Sequence, residues 1–248
     1  MKRLLICAVA VAGFAGAAAA DGMKSTQAAP APEVSRWAGR YVGAYVGYAD
    51  GRATHTDLNG YNTFTGISAF QLDDASFVGG LTLGYSIAHG GLLVGLESEY
   101  GFLGFSANRQ HPGIAVTPGF SANDSRASVK TGFYSTTMAR LGVYNDRMLG
   151  YIKLGVAWVD TKVSFTDADP FGNTLVSGTK ESGMKMGGAV GAGLELALSP
   201  TWSAKFEWER IILSDIELVT TAGTGGGTFR FAHDAVFDTL KLGLNYKF

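Results

Sequence analysis

Eight runs along the chain alternate apolar and polar side chains with a period of two, the spacing of a β-strand whose faces meet different surroundings. They cover 40–48, 77–87, 92–102, 133–144, 148–159, 184–196, 201–210 and 236–248. In the fifth, Ile152, Leu154, Val156 and Trp158 oppose Lys153, Gly155 and Ala157; in the last, Leu240, Leu242, Leu244, Tyr246 and Phe248 oppose Thr239, Lys241, Gly243, Asn245 and Lys247. Most runs have the length, about ten residues, that a tilted strand needs to cross a bilayer. The connections 88–91, 145–147 and 198–200 are tight, whereas 49–76, 103–132, 160–183 and 211–235 are long and polar. Strict alternation of short and long connections predicts an all-β fold, an eight-stranded antiparallel up-and-down transmembrane β-barrel over 37–248. Its short turns would be periplasmic and its long loops extracellular.

The face that carries the charges decides between a lipid and an aqueous surrounding. Glu97, Glu99, Glu195, Glu207 and Glu209 share the glycine-rich face with Arg140, Lys153, Lys185, Lys205 and Lys241. A soluble, lipocalin-like barrel would turn such residues to water and its large apolar side chains inward. Here the large apolar side chains form the other face, which suits lipid. The interior of eight strands is only wide enough for their own side chains. The ten charged residues are therefore expected to pair across a plugged lumen, since burying them singly costs several kcal/mol each. Trp37, Tyr41, Tyr85, Tyr100, Phe102, Tyr144, Tyr151, Trp158, Trp202, Tyr246 and Phe248 fall near the run ends, where interface girdles would place them.

Composition supports strands over helices. The chain is 46% hydrophobic and holds 35 glycines among 248 residues, a density that disfavours helix and suits curved sheet. A net charge of −1 and the lack of a Lys/Arg-rich block set nucleic-acid binding aside. Lys2 and Arg3 precede an apolar run, 4–19, that closes on Ala18-Ala19-Ala20. This predicts a secretory signal peptide over 1–20, cleaved after Ala20. Cys7 lies inside it, so the mature chain is expected to hold no disulfide and no thiolate metal site. The Ala/Pro-rich stretch within 21–36 reads as a flexible periplasmic leader.

The C-terminal run Leu240-Lys241-Leu242-Gly243-Leu244-Asn245-Tyr246-Lys247-Phe248 resembles the terminal signal of outer-membrane proteins. The start, Trp37-Ala38-Gly39-Arg40-Tyr41-Val42-Gly43-Ala44-Tyr45-Val46-Gly47-Tyr48, looks like the first strand of the small outer-membrane immunogenic proteins of alphaproteobacteria. That family is itself similar to the membrane domain of outer-membrane protein A. The resemblance implies a cell outer-membrane location, with Leu242, Leu244, Tyr246 and Phe248 read by the barrel-assembly machinery. Periplasmic chaperones would be partners during biogenesis, and outer-membrane lipids and lipopolysaccharide afterwards. Anchoring by a peptidoglycan-binding domain, as in full-length outer-membrane protein A, is not expected.

Candidate chemistry is sparse. An omptin-like protease needs paired acids at the extracellular rim, and Asp73-Asp74 and His233-Asp234 lie near it. Neighbours on a strand point to opposite faces, however, so each dipeptide offers only one inward group. His55 and His111, with Tyr61 and Tyr134, are the ligand types a haem receptor would need; lone loop histidines are ordinarily solvated. The Gly-rich 221–227 lacks the strand–loop–helix setting of a phosphate cradle. The expected function is a non-enzymatic, cofactor-free barrel that stabilises the envelope and displays surface loops. The alternatives are a narrow porin for small solutes, or a surface receptor or adhesin for haem or a host component.

Overall fold

The computed structural model describes residues 35–61, 66–113, 125–168, 174–222 and 227–248. The expected signal peptide and nearly all of the expected leader lie outside them. The described strands are β1 (Gly39–Asp57), β2 (Ala69–His89), β3 (Leu92–Leu103), β4 (Ser106–Gln110), β5 (Arg126–Tyr144), β6 (Met148–Ala168), β7 (Thr174–Ala197), β8 (Trp202–Ala222) and β9 (Thr228–Lys247). Each pairs antiparallel with its sequence neighbour, and β1 pairs with both β2 and β9, closing the ring. β3 and β4 both pair with β5 and form one interrupted stave, so the ring has eight. The interruption at Gly104–Phe105 faces a bulge between Thr131 and Tyr134 of β5, and the Thr131 N–H still reaches Phe105 O at 2.9 Å. The three tight turns fall where the sequence puts them, the first through Gly90 and Gly91 at positive φ.

The strands run far past the expected ten residues; β7 has 24. Most of the described residues of 49–76, 103–132, 160–183 and 211–235 are therefore strand and not loop, a correction with a physical reason. Alternation continues through these segments, but its polarity reverses. In the half nearest the short turns, Leu81, Leu83, Val94, Ile152, Leu154 and Leu242 point outward and are exposed. In the half nearest the loops, Phe70, Phe105, Val129, Phe165, Leu213 and Phe237 point inward and are buried, while Arg52, Asp73, Lys130, Thr166 and Asp234 face out. The barrel is thus apolar outside and charged inside below, and apolar inside and charged outside above. A bulge between Leu213 and Ile216 in β8, with Asp215 at φ 59°, turns both of those apolar side chains inward. The exposed rings of Tyr48, Phe77, Phe102 and Phe133 mark the changeover.

Candidate functional site

The lower lumen is built from one face of β3, β5, β6, β7, β8 and β9. Because alternate residues point inward, Glu97 and Glu99 on β3 enter it together, as do Lys205, Glu207 and Glu209 on β8. The Lys153 ammonium lies 2.8 Å from Glu97, 3.2 Å from Glu99, 2.7 Å from Glu207 and 3.5 Å from Glu209. Lys205 Nζ reaches Glu99 at 3.1 Å and Glu97 at 3.4 Å, and Lys241 Nζ reaches Glu99 at 2.5 Å and Glu209 at 3.0 Å. Nearer the short turns, Arg140 pairs with Glu195 and lies 3.8 Å from Glu97. Ser203 and Asn245 also donate to Glu195. All nine of these charged residues are buried. Five carboxylates thus meet four cations, and Glu209 is held by ion contacts alone, with no hydrogen bond in good geometry.

Lys185, expected in this set, does not join it. It sits on the same face of β7 but opposite Val159 of β6, six positions above Gly191, which faces Lys153. At about 3.3 Å per residue, that offset carries it beyond reach of the network. It is half-buried and forms no ion pair among the described residues.

Aromatic rings complete the site, and four of them differ from expectation. Tyr41 and Tyr151, expected at the membrane interface, point inward and are buried. The Tyr41 hydroxyl donates to Glu97 at 2.6 Å and the Tyr151 hydroxyl to Glu207 at 2.8 Å, while the Arg140 guanidinium stacks 3.6 Å over the Tyr151 ring. Tyr134, weighed above as a haem-ligand type, is bonded to Tyr45 through their hydroxyls at 2.6 Å inside the barrel. Trp37 closes the short-turn end, its indole N–H donating to Asn145 O at 2.7 Å. Parity was the available signal: Tyr41 and Tyr45 alternate in step with Gly43 and Gly47, and Tyr151 with Lys153. Glycine makes the space. A Cβ at Gly84 would lie 2.0 Å from the Tyr41 ring, and one at Gly243 would lie 3.1 Å from the Lys205 side chain. Glu97, Glu99 and Glu207 come close enough to share a metal ion, but lysine ammoniums already occupy the space between their oxygens.

The upper lumen holds an apolar core with a histidine pair in it. His55 on β1 and His233 on β9 are cross-strand neighbours whose ring nitrogens approach to 2.9 Å. Phe70, Phe165 and Phe231 surround His55 at centroid distances of 5.0, 5.4 and 5.0 Å. His55 and His111 are therefore buried, not solvated loop residues as their sequence positions suggest. Over the pair, the Tyr61 hydroxyl donates to Asp167, whose other oxygen accepts the Ser125 hydroxyl at 2.8 Å. The candidate acid pairs are not assembled: Asp73 and Asp234 face outward, Asp74 accepts the Ser106 N–H at 3.1 Å, and His233 faces His55.

Burial lowers the His55 pKa to about 3 and the His233 pKa to about 4; the neighbouring histidines push His55 further down. The unfolded chain takes up these protons near pH 6.5, and the folded barrel does not until pH 3–4. The stability that the neutral pair contributes is complete above pH 6.5 and is lost as pH falls through that window. Each histidine should cost about 1.4 kcal/mol per pH unit between pH 6 and 4. Hydrogen exchange in the upper halves of β1 and β9 should accelerate from pH 6.5 to 4.5, and His55→Phe/His233→Phe should flatten that dependence. An equally steep dependence in the double variant would contradict it.

A sequence profile described as outer membrane protein beta-barrel domain matches residues 6–248. The chain belongs to this family. Among its relatives, the 31 kDa outer-membrane immunogenic protein of Brucella melitensis is 29% identical over 258 residues, covering 100% of both chains. The 25 kDa outer-membrane immunogenic protein of Brucella canis is 27% identical over 253 residues, covering 100% of this chain and 99% of that one. The crystal structure of the outer membrane protease OmpT of Escherichia coli superposes with a TM-score of 0.51 at 10% identity, covering 84% of this chain and 96% of that one. That likeness is one of fold. The protein is an outer-membrane β-barrel; the apolar outer face of its lower half suits lipid, and the charged outer face of its upper half suits water.

Proposed function

We propose that this barrel is a closed structural element of the outer membrane that stabilises the envelope and displays surface loops, without a pore and without catalysis. The observation that carries the reading is the filled lumen. From Trp37, through the Glu/Lys/Arg network and the Tyr45–Tyr134 pair, to the aromatic core around His55, buried side chains occupy the interior. Such a column leaves no continuous water path for a solute. Reconstituted in a planar lipid bilayer, the protein should give no resolved current steps above baseline. Steady, uniform steps from the wild-type barrel would favour the narrow porin and overturn the closed reading.

Leu242, Leu244, Tyr246 and Phe248 line the outer face at the C-terminal end of the chain and are exposed. In this proposal they are the surface that the barrel-assembly machinery reads, after periplasmic chaperones have delivered the chain. Deleting Phe248 should slow insertion in cells while leaving refolding into detergent unchanged. Equal slowing of both would make the residue structural only.

A further inference from the structure

The charges of the lower lumen do not cancel. Among the described residues its buried carboxylates are Glu97, Glu99, Glu195, Glu207 and Glu209, and its buried cations are Arg140, Lys153, Lys205 and Lys241. Fully ionised, the set would hold one uncompensated negative charge. Lys185 cannot supply the missing cation, since it lies six positions above Gly191 on β7. A buried ion without a partner is costly, and the ordinary outcome is that the group neutralises.

The hydrogen bonds show where the imbalance rests. Glu97 accepts from Tyr41, Lys153 and Lys205, and Glu99 from Lys153, Lys205 and Lys241. Glu195 accepts from Arg140, Ser203 and Asn245, and Glu207 from Tyr151 and Lys153. Glu209 accepts none at either oxygen, although it is wholly buried. An ammonium has three N–H donors. Lys153 directs its three to Glu97, Glu99 and Glu207, which leaves none for Glu209 at 3.5 Å. Lys205 directs its three to Thr82, Glu97 and Glu99. Lys241 lies 3.0 Å from Glu209 but directs its hydrogen bond to Glu99. The cross-strand neighbours offer nothing more. Thr239 of β9 turns its hydroxyl to the Glu209 main-chain carbonyl, and Gly191 of β7 has no side chain. Tyr45 of β1 and Tyr134 of β5, bonded to one another, complete the surroundings. A carboxylate without a donor is poorly placed to keep its charge. A carboxylic acid suits the position, because Glu99, held by the same Lys241, can accept its proton.

We propose that Glu209 binds a proton at neutral pH, so that the lumen closes as four carboxylates, four cations and one neutral acid. The proposal takes the sealed lumen from the closed reading of the barrel. The two fail separately, since current steps report on the lumen and a carboxylic-acid signal reports on Glu209. The test is infrared spectroscopy of the full barrel at pH 7 in a detergent without ester groups. The wild type should show the carbonyl stretch of a protonated carboxylic acid, shifted on deuteration. Glu209→Gln should abolish this band and Glu207→Gln should keep it. Heat-modifiable migration on a gel establishes that each variant is folded; should Glu209→Gln not fold, Glu209→Asp serves, with the band displaced. Unfolding measures the same proton independently. An unfolded glutamate ionises near pH 4.3, so unfolding releases the Glu209 proton and is favoured as pH rises. Between about pH 5 and 7 the unfolding equilibrium constant of the wild type should gain about tenfold per pH unit over that of Glu209→Gln. The histidine pair acts in the opposite sense but equally in both proteins, so the difference isolates Glu209. A wild-type barrel without the band, a band that survives Glu209→Gln or stays in place in Glu209→Asp, or parallel pH dependences would overturn the proposal. So would a wild-type stability that falls when sodium is replaced by a bulky organic cation, since a metal ion would then supply the fifth charge.

Discussion

Replacing Lys153 with methionine should lower the unfolding free energy of the barrel by about 3–5 kcal/mol, the cost of leaving buried charge without its partner. Its ammonium is, among the described residues, the one cation within 3.5 Å of four carboxylates, Glu97, Glu99, Glu207 and Glu209. Methionine nearly matches its length, so little cavity forms, and the loss is electrostatic. Five carboxylates would then face three cations in a space with no access to water. Lys185→Met offers the comparison, because Lys185 lies on the same lumen-facing register but outside the network; it should cost less than about 0.5 kcal/mol. Adding Glu97→Gln to Lys153→Met should restore part of the stability, since it removes one stranded charge. Urea unfolding in detergent, followed by the heat-modifiable band, measures all four proteins. Equal costs for Lys153→Met and Lys185→Met would show that the ion contacts contribute little.

Much of this architecture was legible in the chain because period-two alternation is a direct imprint of a two-faced wall. The eight staves, the three short turns and nine of the ten lumen charges follow from parity alone. Lys185 failed because parity gives the face and not the height, and strand tilt separates it from the network by six residues of β7. The long connections hide the most structure. Segments such as 211–222 look polar because Ser214, Asp215, Glu217 and Thr221 interrupt them, yet Ile211, Leu213, Ile216 and Leu218 form a buried inner row. The β8 bulge hides that row by shifting its spacing between Leu213 and Ile216. The aromatic rings were misplaced for a related reason. A tyrosine near a strand end suits either a lipid interface or a lumen carboxylate, and Tyr41 and Tyr151 take the second role because Gly84 and Gly193 leave room for their rings. The histidine pair carries no local motif at all. His55 and His233 lie 178 residues apart and meet only because β1 and β9 close the ring.

The two-zone wall makes a sharper demand than the barrel alone, since it requires one substitution to have very unequal costs on one face of one strand. Leu154 and Thr166 both point outward from β6, twelve positions apart. Leu154 is 71% exposed between Ala139 of β5 and Val190 of β7, midway between the short turn and Trp158. Arginine there places a guanidinium near the bilayer midplane and should destabilise the barrel in lipid by about 2–4 kcal/mol. Thr166 lies beyond the charged rim, opposite Arg126 across the β5–β6 ladder, where an added guanidinium meets water; Thr166→Arg should cost no more than about 1 kcal/mol, the penalty of one exposed like-charged cross-strand pair. Urea unfolding from lipid vesicles gives both values. The lumen stays intact in each variant, so Lys153 and its carboxylates serve as an internal constant, and the difference reports on the solvent outside. Similar costs at the two positions would mean that lipid covers the whole height of β6 or none of it, and the reversal of polarity at the Tyr48–Phe77–Phe133 level would no longer mark the membrane surface.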